Sequence, residues 1–221
     1  MKLMFVEARY NKPIFIEKTA SKLPEKIGLV ATIQFIEHLK NIKKELEKHK
    51  KTVFVGKGSH TAYPGQVLGC DVLAASSVKE RVDAFLYIGT GDFHPIAISL
   101  DTKKDVFVFN PITKNLKKID FKEAEKINKK KKGALIRFFS SNEIGVILTT
   151  KPGQKNLEKA FELKKSFKEK NFYFILFDTI DFTQLENFPF IECFINTACP
   201  RIAMDDSIKL ERSIINIGDL R

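Results

Sequence analysis

Short apolar runs alternate along this chain with segments whose apolar residues recur every three or four positions. Runs of the first kind are typical of buried strands, and segments of the second kind are typical of helices with one apolar face. In the first half the pattern predicts strands at 27–32, 52–55, 82–88 and 106–109, a helix at 93–100, and another helix whose apolar face contains Phe35, Ile36, Leu39, Ile42 and Leu46.

The second half repeats this alternation. It predicts strands at 144–149, 172–177 and 191–197, a short helix at 182–188, and a helix whose face contains Leu157, Ala160, Phe161, Lys164 and Phe167. Strands that are apolar throughout are covered on both faces, which favours parallel sheets with helices outside. The predicted fold is therefore α/β, with two similar domains that each contain a parallel sheet flanked by helices.

A weak internal repeat relates the two halves. Residues 27–32 (IGLVAT) resemble 144–149 (IGVILT), and residues 82–86 (VDAFL) resemble 191–195 (IECFI) in the same order. Duplication of one α/β unit explains both matches. We therefore expect domains at 1–127 and 128–221. The lysine-rich stretch 128–133 is expected to be a surface connection near this boundary, with a basic binding patch as the alternative.

Composition narrows the class of protein. The chain has 221 residues, of which 43% are hydrophobic, so it can bury its own cores. It contains no run of 18 apolar residues, and its first residues lack the pattern of a signal peptide. We expect a cytoplasmic protein without a membrane partner. Three cysteines make a disulfide framework improbable and favour a metal or catalytic role for any special thiol.

The net charge of +11 raises the question of nucleic-acid binding. Lysine supplies 32 of the 38 basic residues, and these lysines are spread over predicted helix faces. Most of the 20 phenylalanines occupy core-like positions, so interleaved exposed aromatics that would stack on bases are missing. A solvated lysine face is the better explanation, and direct nucleic-acid binding is not expected.

Two of the cysteines stand in loops that follow strand-like segments. Cys70 ends the stretch GQVLGC (65–70), and Cys199 lies in NTACPR (196–201). Loops beyond the carboxyl ends of parallel strands form the ligand crevice of open α/β sheets. Cys193, by contrast, lies within an apolar strand and is expected to be a small core residue. Two thiolates alone make neither a structural zinc site nor an ordinary iron-sulfur site.

These loops resemble a known family. The segments PGQVLGC (64–70), GTGDFHP (89–95) and NTACPR (196–201), with Asp205 and Asp206 after the last, look like the archaeal diphthamide-synthesis enzymes. The resemblance implies transfer of a 3-amino-3-carboxypropyl group from S-adenosylmethionine to a histidine of translation elongation factor two. It also implies three similar α/β domains, each giving one cysteine to a four-iron four-sulfur cluster with one iron left open for radical chemistry.

The resemblance covers the second and third family domains and makes Cys70 and Cys199 the cluster ligands. The family's first domain has no counterpart here, and residues 1–9, with a strand-like start at 3–6, resemble the strand-like segment where that domain ends. We therefore expect a split enzyme in which a separate N-terminal chain supplies the third cysteine, with an oligomeric assembly. The alternative is a non-catalytic α/β scaffold or nucleotide-binding subunit that lost the catalytic domain.

Several loop residues are candidates for contact with S-adenosylmethionine, because backbone amides and short polar side chains after strands bind carboxylates and ribose. For each glycine among them, a tight turn that needs a positive φ is an equal alternative. The candidates are Gln34, Gly65, Gln66, Gly89, Gly91, Gly153 and Gln154.

The remaining polar candidates have structural alternatives. His94 precedes a proline at a helix start, where helix entry or a structural hydrogen bond competes with catalysis. His38 and His49 are expected to be exposed on the lysine-rich helix, whereas His60 is a lesser candidate for substrate contact. Asp205 and Asp206 are expected to cap a helix, with acceptor binding as the alternative.

Overall fold

A computed structural model describes residues 4, 6–204 and 212–220 of the chain. The chain divides into two compact units, Met1–Glu125 and Lys126–Arg221. This division falls inside one helix, Phe121–Ser140, two residues before the boundary expected from the sequence. None of the helices in the described ranges is both long and apolar enough to cross a membrane.

The first unit is built on a five-stranded sheet with strand order β2-β1-β3-β4-β5. The first four strands in this order are parallel to one another, and β5 pairs antiparallel with β4 at one edge. The strands are β1 (Lys26–Ala31), β2 (Thr52–Phe54), β3 (Ala84–Ile88), β4 (Val106–Asn110) and β5 (Asn115–Ile119). The helices are α1 (Glu17–Ala20), α2 (Leu39–Lys48), α3 (Leu73–Ser76) and α4 (Phe93–Thr102), with 3-10 turns at Ile33–His38 and Lys79–Arg81. Helix α5 (Phe121–Ser140) begins in this unit and continues into the second.

Apolar side chains cover both faces of this sheet. Along β3, Leu86 and Ile88 enter one core cluster, while Phe85 and Tyr87 enter the other. The predicted apolar helix face is confirmed, since all five of its residues are buried in the first cluster. Burial of these side chains on both sides explains why β3 is apolar throughout.

The second unit has a four-stranded, fully parallel sheet with the order β7-β6-β8-β9. Its strand order follows the first four positions of the sheet in the first unit, in agreement with the internal repeat. The strands are β6 (Glu143–Thr149), β7 (Asn171–Phe177), β8 (Cys193–Asn196) and β9 (Ser213–Asn216). The helices are α6 (Leu157–Ser166), α7 (Phe182–Leu185) and α8 (Arg201–Met204), with a 3-10 turn at Ile217–Asp219.

The α/β class with parallel sheets flanked by helices is confirmed, and the predicted strands begin and end within three residues of the observed ones. The stretch 128–133 is part of α5, the helix within which the two units divide, and residues 129–133 are exposed, as expected of a surface connection. It is helical because lysine is a good helix former and buried Phe138 anchors the helix near its end. The predicted apolar face of α6 is wrong in part, since Leu163 is buried there, whereas Phe161 is 52% exposed and lies beside Phe174.

Candidate functional site

Cys70 lies at the tip of a tight turn in the first unit. Leu68 and Asp71 exchange two backbone hydrogen bonds, of 2.9 and 3.2 Å, which leaves Gly69 and Cys70 between them. A β-carbon at Gly69 would stand 2.0 Å from an atom of the Phe93 ring, so only glycine fits there. The turn therefore presents the Cys70 thiol, which is exposed, at a fixed place.

The segment before this turn pairs in parallel with the carboxyl end of β1. Ala31 N donates to Gly65 O (2.9 Å), and Val67 N donates to Ala31 O (3.0 Å). Gly65 has a φ of +77°, a conformation that glycine adopts at little cost, and its N–H donates to Gly56 O (2.7 Å). As a result, the Cys70 loop follows the carboxyl edge of the sheet, where open α/β sheets bind their ligands.

The carboxylate of Asp71 holds the glycine-rich loop against the Cys70 turn. One oxygen accepts hydrogen bonds from His60 N (2.8 Å) and Ser59 Oγ (3.3 Å), and the other accepts from Leu73 N (2.9 Å). Asp71 is buried, and burial alone would raise its pKa, but these donors outweigh that effect and lower the pKa below its ordinary value. Asp71 was not among the candidates from the sequence.

Other predicted residues of this loop region serve its architecture. The buried Gln66 side chain accepts hydrogen bonds from Ala62 N (3.0 Å) and Tyr63 N (3.1 Å) through Oε1. Gln34 is exposed. Gly89 is buried, and a β-carbon there would stand 2.5 Å from the Tyr87 ring. For Gln66 and Gly89 these contacts explain the residue type without a ligand, and cosubstrate contact stays a prediction.

The remaining glycine candidates lie in open turns. Gly91 has a φ of +74° and Gly153 a φ of +77°, and a β-carbon at either position would meet nothing within 4 Å. Backbone conformation, and not crowding, therefore favours glycine at both places. Gln154, the neighbour of Gly153, is half-buried.

Tyr87 and His94 form a pair at the carboxyl end of β3. Their rings are stacked at 5.8 Å with an interplanar angle of 17°, and Tyr87 Oη lies 3.4 Å from His94 Nδ1. His94 thus makes a structural hydrogen bond, one of the alternatives to catalysis that the sequence left open. Burial raises the pKa of Tyr87 to about 12, so the phenol stays protonated near neutral pH. Tyr87 was missed at the level of sequence because its pattern is that of one more apolar strand residue.

Cys199 lies in the turn between β8 and α8 of the second unit and is half-buried. Asn196 Nδ2 donates to Cys199 O (2.8 Å), and Ile202 N donates to the same oxygen (3.1 Å). Thr197 Oγ1 donates to Ile147 O (2.8 Å), which ties the turn back to β6. Like Cys70, Cys199 follows the carboxyl end of a parallel strand.

Cys193 is confirmed as a core residue. Its side chain has no exposed surface and packs in a cluster with Ile144 and Ile195. Burial raises the pKa of its thiol to about 12, which disfavours the thiolate that metal binding requires.

The histidine expectations have mixed outcomes. His49 and His60 are exposed, but His38 is half-buried, with Nε2 at 2.6 Å from Tyr10 O, so the expectation of an exposed His38 is wrong. Asp205 and Asp206 lie outside the described residues.

At the start of the chain, Leu3 and Phe5 also lie outside the described residues. Met4 and Val6 are exposed and lie in no strand.

Each unit contains one cysteine in a loop that could serve as a soft thiolate ligand, Cys70 in the first unit and Cys199 in the second. Cys70 is exposed and Cys199 is half-buried, and both stand in loops, which suits iron-sulfur ligation. Across the described ranges, no three or more His, Cys, Asp or Glu side chains come together as a metal site.

Comparison with known proteins supplies the family. The profile of the diphthamide synthesis proteins matches residues 1–221. The 2-(3-amino-3-carboxypropyl)histidine synthase of Pyrococcus horikoshii is 35% identical over 188 residues, which are 84% of this chain and 53% of the relative. The enzyme of the same name from Methanocaldococcus jannaschii is 35% identical over 189 residues, 80% of this chain and 54% of that relative. The chain thus spans about half the length of these relatives.

A solved structure supports the same family. The crystal structure of Dph2 from Pyrococcus horikoshii with a 4Fe-4S cluster superposes with a TM-score of 0.77 at 31% identity, covering 93% of this chain and 58% of that one. The similarity therefore extends over both units and most of the chain.

Proposed function

The chain belongs to the diphthamide synthesis protein family, and from that premise we propose that it is part of an enzyme that transfers the 3-amino-3-carboxypropyl group of S-adenosylmethionine to a histidine of translation elongation factor two. The names of the relatives support the group that is transferred and the amino acid that receives it. The acceptor protein and the cosubstrate are part of the proposal.

Cys70 and Cys199 are the proposed ligands of a four-iron four-sulfur cluster. The observation that carries the proposal is the presentation of both thiols in hydrogen-bonded turns after parallel strands, while the third cysteine is buried. A third thiolate comes from outside these residues, and we propose a separate N-terminal chain as its source, in an oligomeric assembly in the cytoplasm. When bound and reduced, the cluster supplies the electron that cleaves the carbon-sulfur bond of the sulfonium.

The protein's own residues bind and orient the cosubstrate. The loops that follow β2, β3 and β6 carry Gly65, Gly91 and Gly153, whose positive φ values turn the backbone. The Gly65 amide already donates to Gly56 O, so Gly65 shapes its loop, and the backbone amides at Gly91 and Gly153 are the proposed contacts for a carboxylate or ribose. Gln34, in the 3-10 turn after β1, and Gln154, in the loop after β6, are the proposed side-chain contacts. In the overall reaction the aminocarboxypropyl group replaces one hydrogen of the acceptor imidazole. That hydrogen leaves as a proton, and methylthioadenosine is the other product.

The test is turnover under anaerobic conditions with dithionite, S-adenosylmethionine and elongation factor two. The chain is assayed alone and with the N-terminal portion of the Pyrococcus horikoshii synthase that it does not match. We expect methylthioadenosine and modified acceptor only in the mixture. Full activity of the chain alone would overturn the split arrangement, and inactivity of the mixture would favour the non-catalytic scaffold.

A further inference from the structure

The turn that carries Cys199 is held by side chains from two neighbouring strands. Asn196 ends β8 and Asn216 ends β9, and the two residues are register partners in the parallel sheet. Asn196 Nδ2 donates to Asn216 Oδ1 at 2.7 Å, and Asn196 is only 1% exposed. The two amides therefore form a linked pair directly beneath the turn.

This pair bonds three successive residues of the turn. Asn196 Oδ1 accepts from Ala198 N (3.1 Å), and Asn196 Nδ2 donates to Cys199 O (2.8 Å). Asn216 Nδ2 donates to Pro200 O (3.1 Å). The two side-chain amides thus fix the backbone at and on both sides of Cys199. They are held in place in turn, because a buried polar group that loses its hydrogen-bond partner costs free energy.

We propose that Asn196 and Asn216 are positioning residues for Cys199, which hold its thiol ready for the cluster before any iron binds. This inference rests on the proposed function, because it assumes that Cys199 is a ligand. Asn216 does not bond Cys199 itself. Its Oδ1 accepts from the Asn196 amide, and its Nδ2 donates to Pro200, the residue after Cys199. A strand far along the chain therefore controls the geometry of the Cys199 turn.

Two substitutions separate the parts of this arrangement. Asn216→Ala removes both hydrogen bonds of the side chain. Asn216→Asp keeps an oxygen for Asn196 Nδ2 but replaces the donor to Pro200 O with a second oxygen, which repels that carbonyl. Asn187→Ala is the matched control, because Asn187 is an exposed asparagine of the same unit.

The first experiment needs no cluster. The metal-free full chain is treated with iodoacetamide, and alkylation of Cys199 and Cys70 is followed by peptide mass spectrometry in the same sample. We expect Asn216→Ala to accelerate alkylation of Cys199 by about five- to thirtyfold, the factor that one or two ordinary hydrogen bonds represent. The rate at Cys70 should not change, and Asn187→Ala should behave as the wild type. An equal acceleration at both cysteines would indicate general loosening and overturn the inference.

The second experiment uses the chain with the N-terminal portion of the Pyrococcus horikoshii synthase after anaerobic reconstitution with iron and sulfide. We expect Asn216→Ala to lose iron to EDTA faster than the wild type by a similar factor. Asn216→Asp should retain iron and give an altered EPR spectrum of the reduced cluster. An unchanged iron loss rate and EPR spectrum in both variants would refute the positioning role.

Cys199→Ala distinguishes this failure from failure of the proposed function. If Cys199→Ala loses iron while the Asn216 variants behave as the wild type, Cys199 is a ligand but the asparagines do not position it. If Cys199→Ala keeps all its iron, the ligand assignment itself is wrong, whatever the alkylation experiment shows.

Discussion

Gly28 lies directly opposite Phe85 in neighbouring parallel strands, and a β-carbon on Gly28 would stand 2.3 Å from an atom of the Phe85 ring. The second unit contains the same pair. Gly145 is the register partner of Phe194, and a β-carbon there would stand 2.5 Å from that ring. The repeat noted in the sequence therefore corresponds to one packing solution used twice, in which a glycine makes room for a phenylalanine.

Gly28→Ala should destabilise the first unit by about 1–3 kcal/mol, because Phe85 is fully buried and its ring must shift within a packed core. Gly145→Ala should have an effect of the same sign and size in the second unit. Urea unfolding followed by far-UV circular dichroism measures both changes in unfolding free energy.

Gly133→Ala is the control for these substitutions. Gly133 lies in α5, and no atom lies within 4 Å of the position that an alanine methyl would take, so alanine gains helix propensity without a clash. We expect stabilisation by about 0.5–1 kcal/mol. Destabilisation by Gly133→Ala, or neutrality of Gly28→Ala, would contradict this explanation of the glycines.

Cys193 should resist alkylation in the native protein. Its side chain is fully buried, and its thiol pKa of about 12 leaves almost no thiolate under mildly alkaline conditions. Mass spectrometry after brief treatment with iodoacetamide should show modified Cys70 and unmodified Cys193, with modification of both in urea. Rapid native labelling of Cys193 would show that its strand is not packed as described.

Asp71→Ala should cost about 3 kcal/mol of unfolding free energy, because the substitution leaves the amides of His60 and Leu73 without their charged acceptor. Asp92→Ala is the comparison, since the ion pair of Asp92 with Lys117 is exposed and contributes less than about 1 kcal/mol. Equal effects of the two substitutions in urea unfolding would argue against the anchoring role of Asp71.

The ion pair between Asp105 and Lys118 predicts a pH effect. Partial burial alone would raise the pKa of Asp105, but hydrogen bonds from Lys118 Nζ (2.7 Å) and Phe121 N (3.2 Å) outweigh it and lower the pKa. Because the pKa is lower in the folded state, this stabilisation is present above the unfolded-state pKa and is lost as the pH falls through the folded-state value. Asp105→Asn should therefore cost up to about 1 kcal/mol at neutral pH, after screening, and nothing in strong acid. Urea unfolding of both proteins across this pH range measures the difference, and a constant difference would contradict the expectation.

Periodicity was sufficient for the buried strands and for the apolar face that runs from the 3-10 turn at Ile33–His38 into α2, because burial alone determines which of these positions are apolar. It missed β5, whose lysines at 117 and 118 lie on an exposed edge strand and leave no apolar run. It also missed β9, which has only two buried residues, Ile214 and Ile215. An exposed edge or a short strand carries too little apolar pattern to be recognised locally.

The two loop cysteines could be found from sequence because each follows a strand and a small residue. The residues that hold the two cysteine turns in place could not be found from sequence. Asp71 and Asn216 act through hydrogen bonds that depend on register and loop path, and Asn216 lies 17 residues beyond Cys199 on a strand that the pattern did not reveal. Residues that orient a site through tertiary contacts carry no local signal.

Iron and sulfide content of cysteine variants tests the central claim, that Cys70 and Cys199 both bind the cluster. The wild-type chain and the variants Cys70→Ala, Cys199→Ala and Cys193→Ala are each reconstituted anaerobically with the N-terminal portion of the Pyrococcus horikoshii synthase. We predict equal iron and sulfide for the wild type and Cys193→Ala, and none for the other two. Full iron content in Cys70→Ala or Cys199→Ala, or its loss in Cys193→Ala, would contradict the assignment.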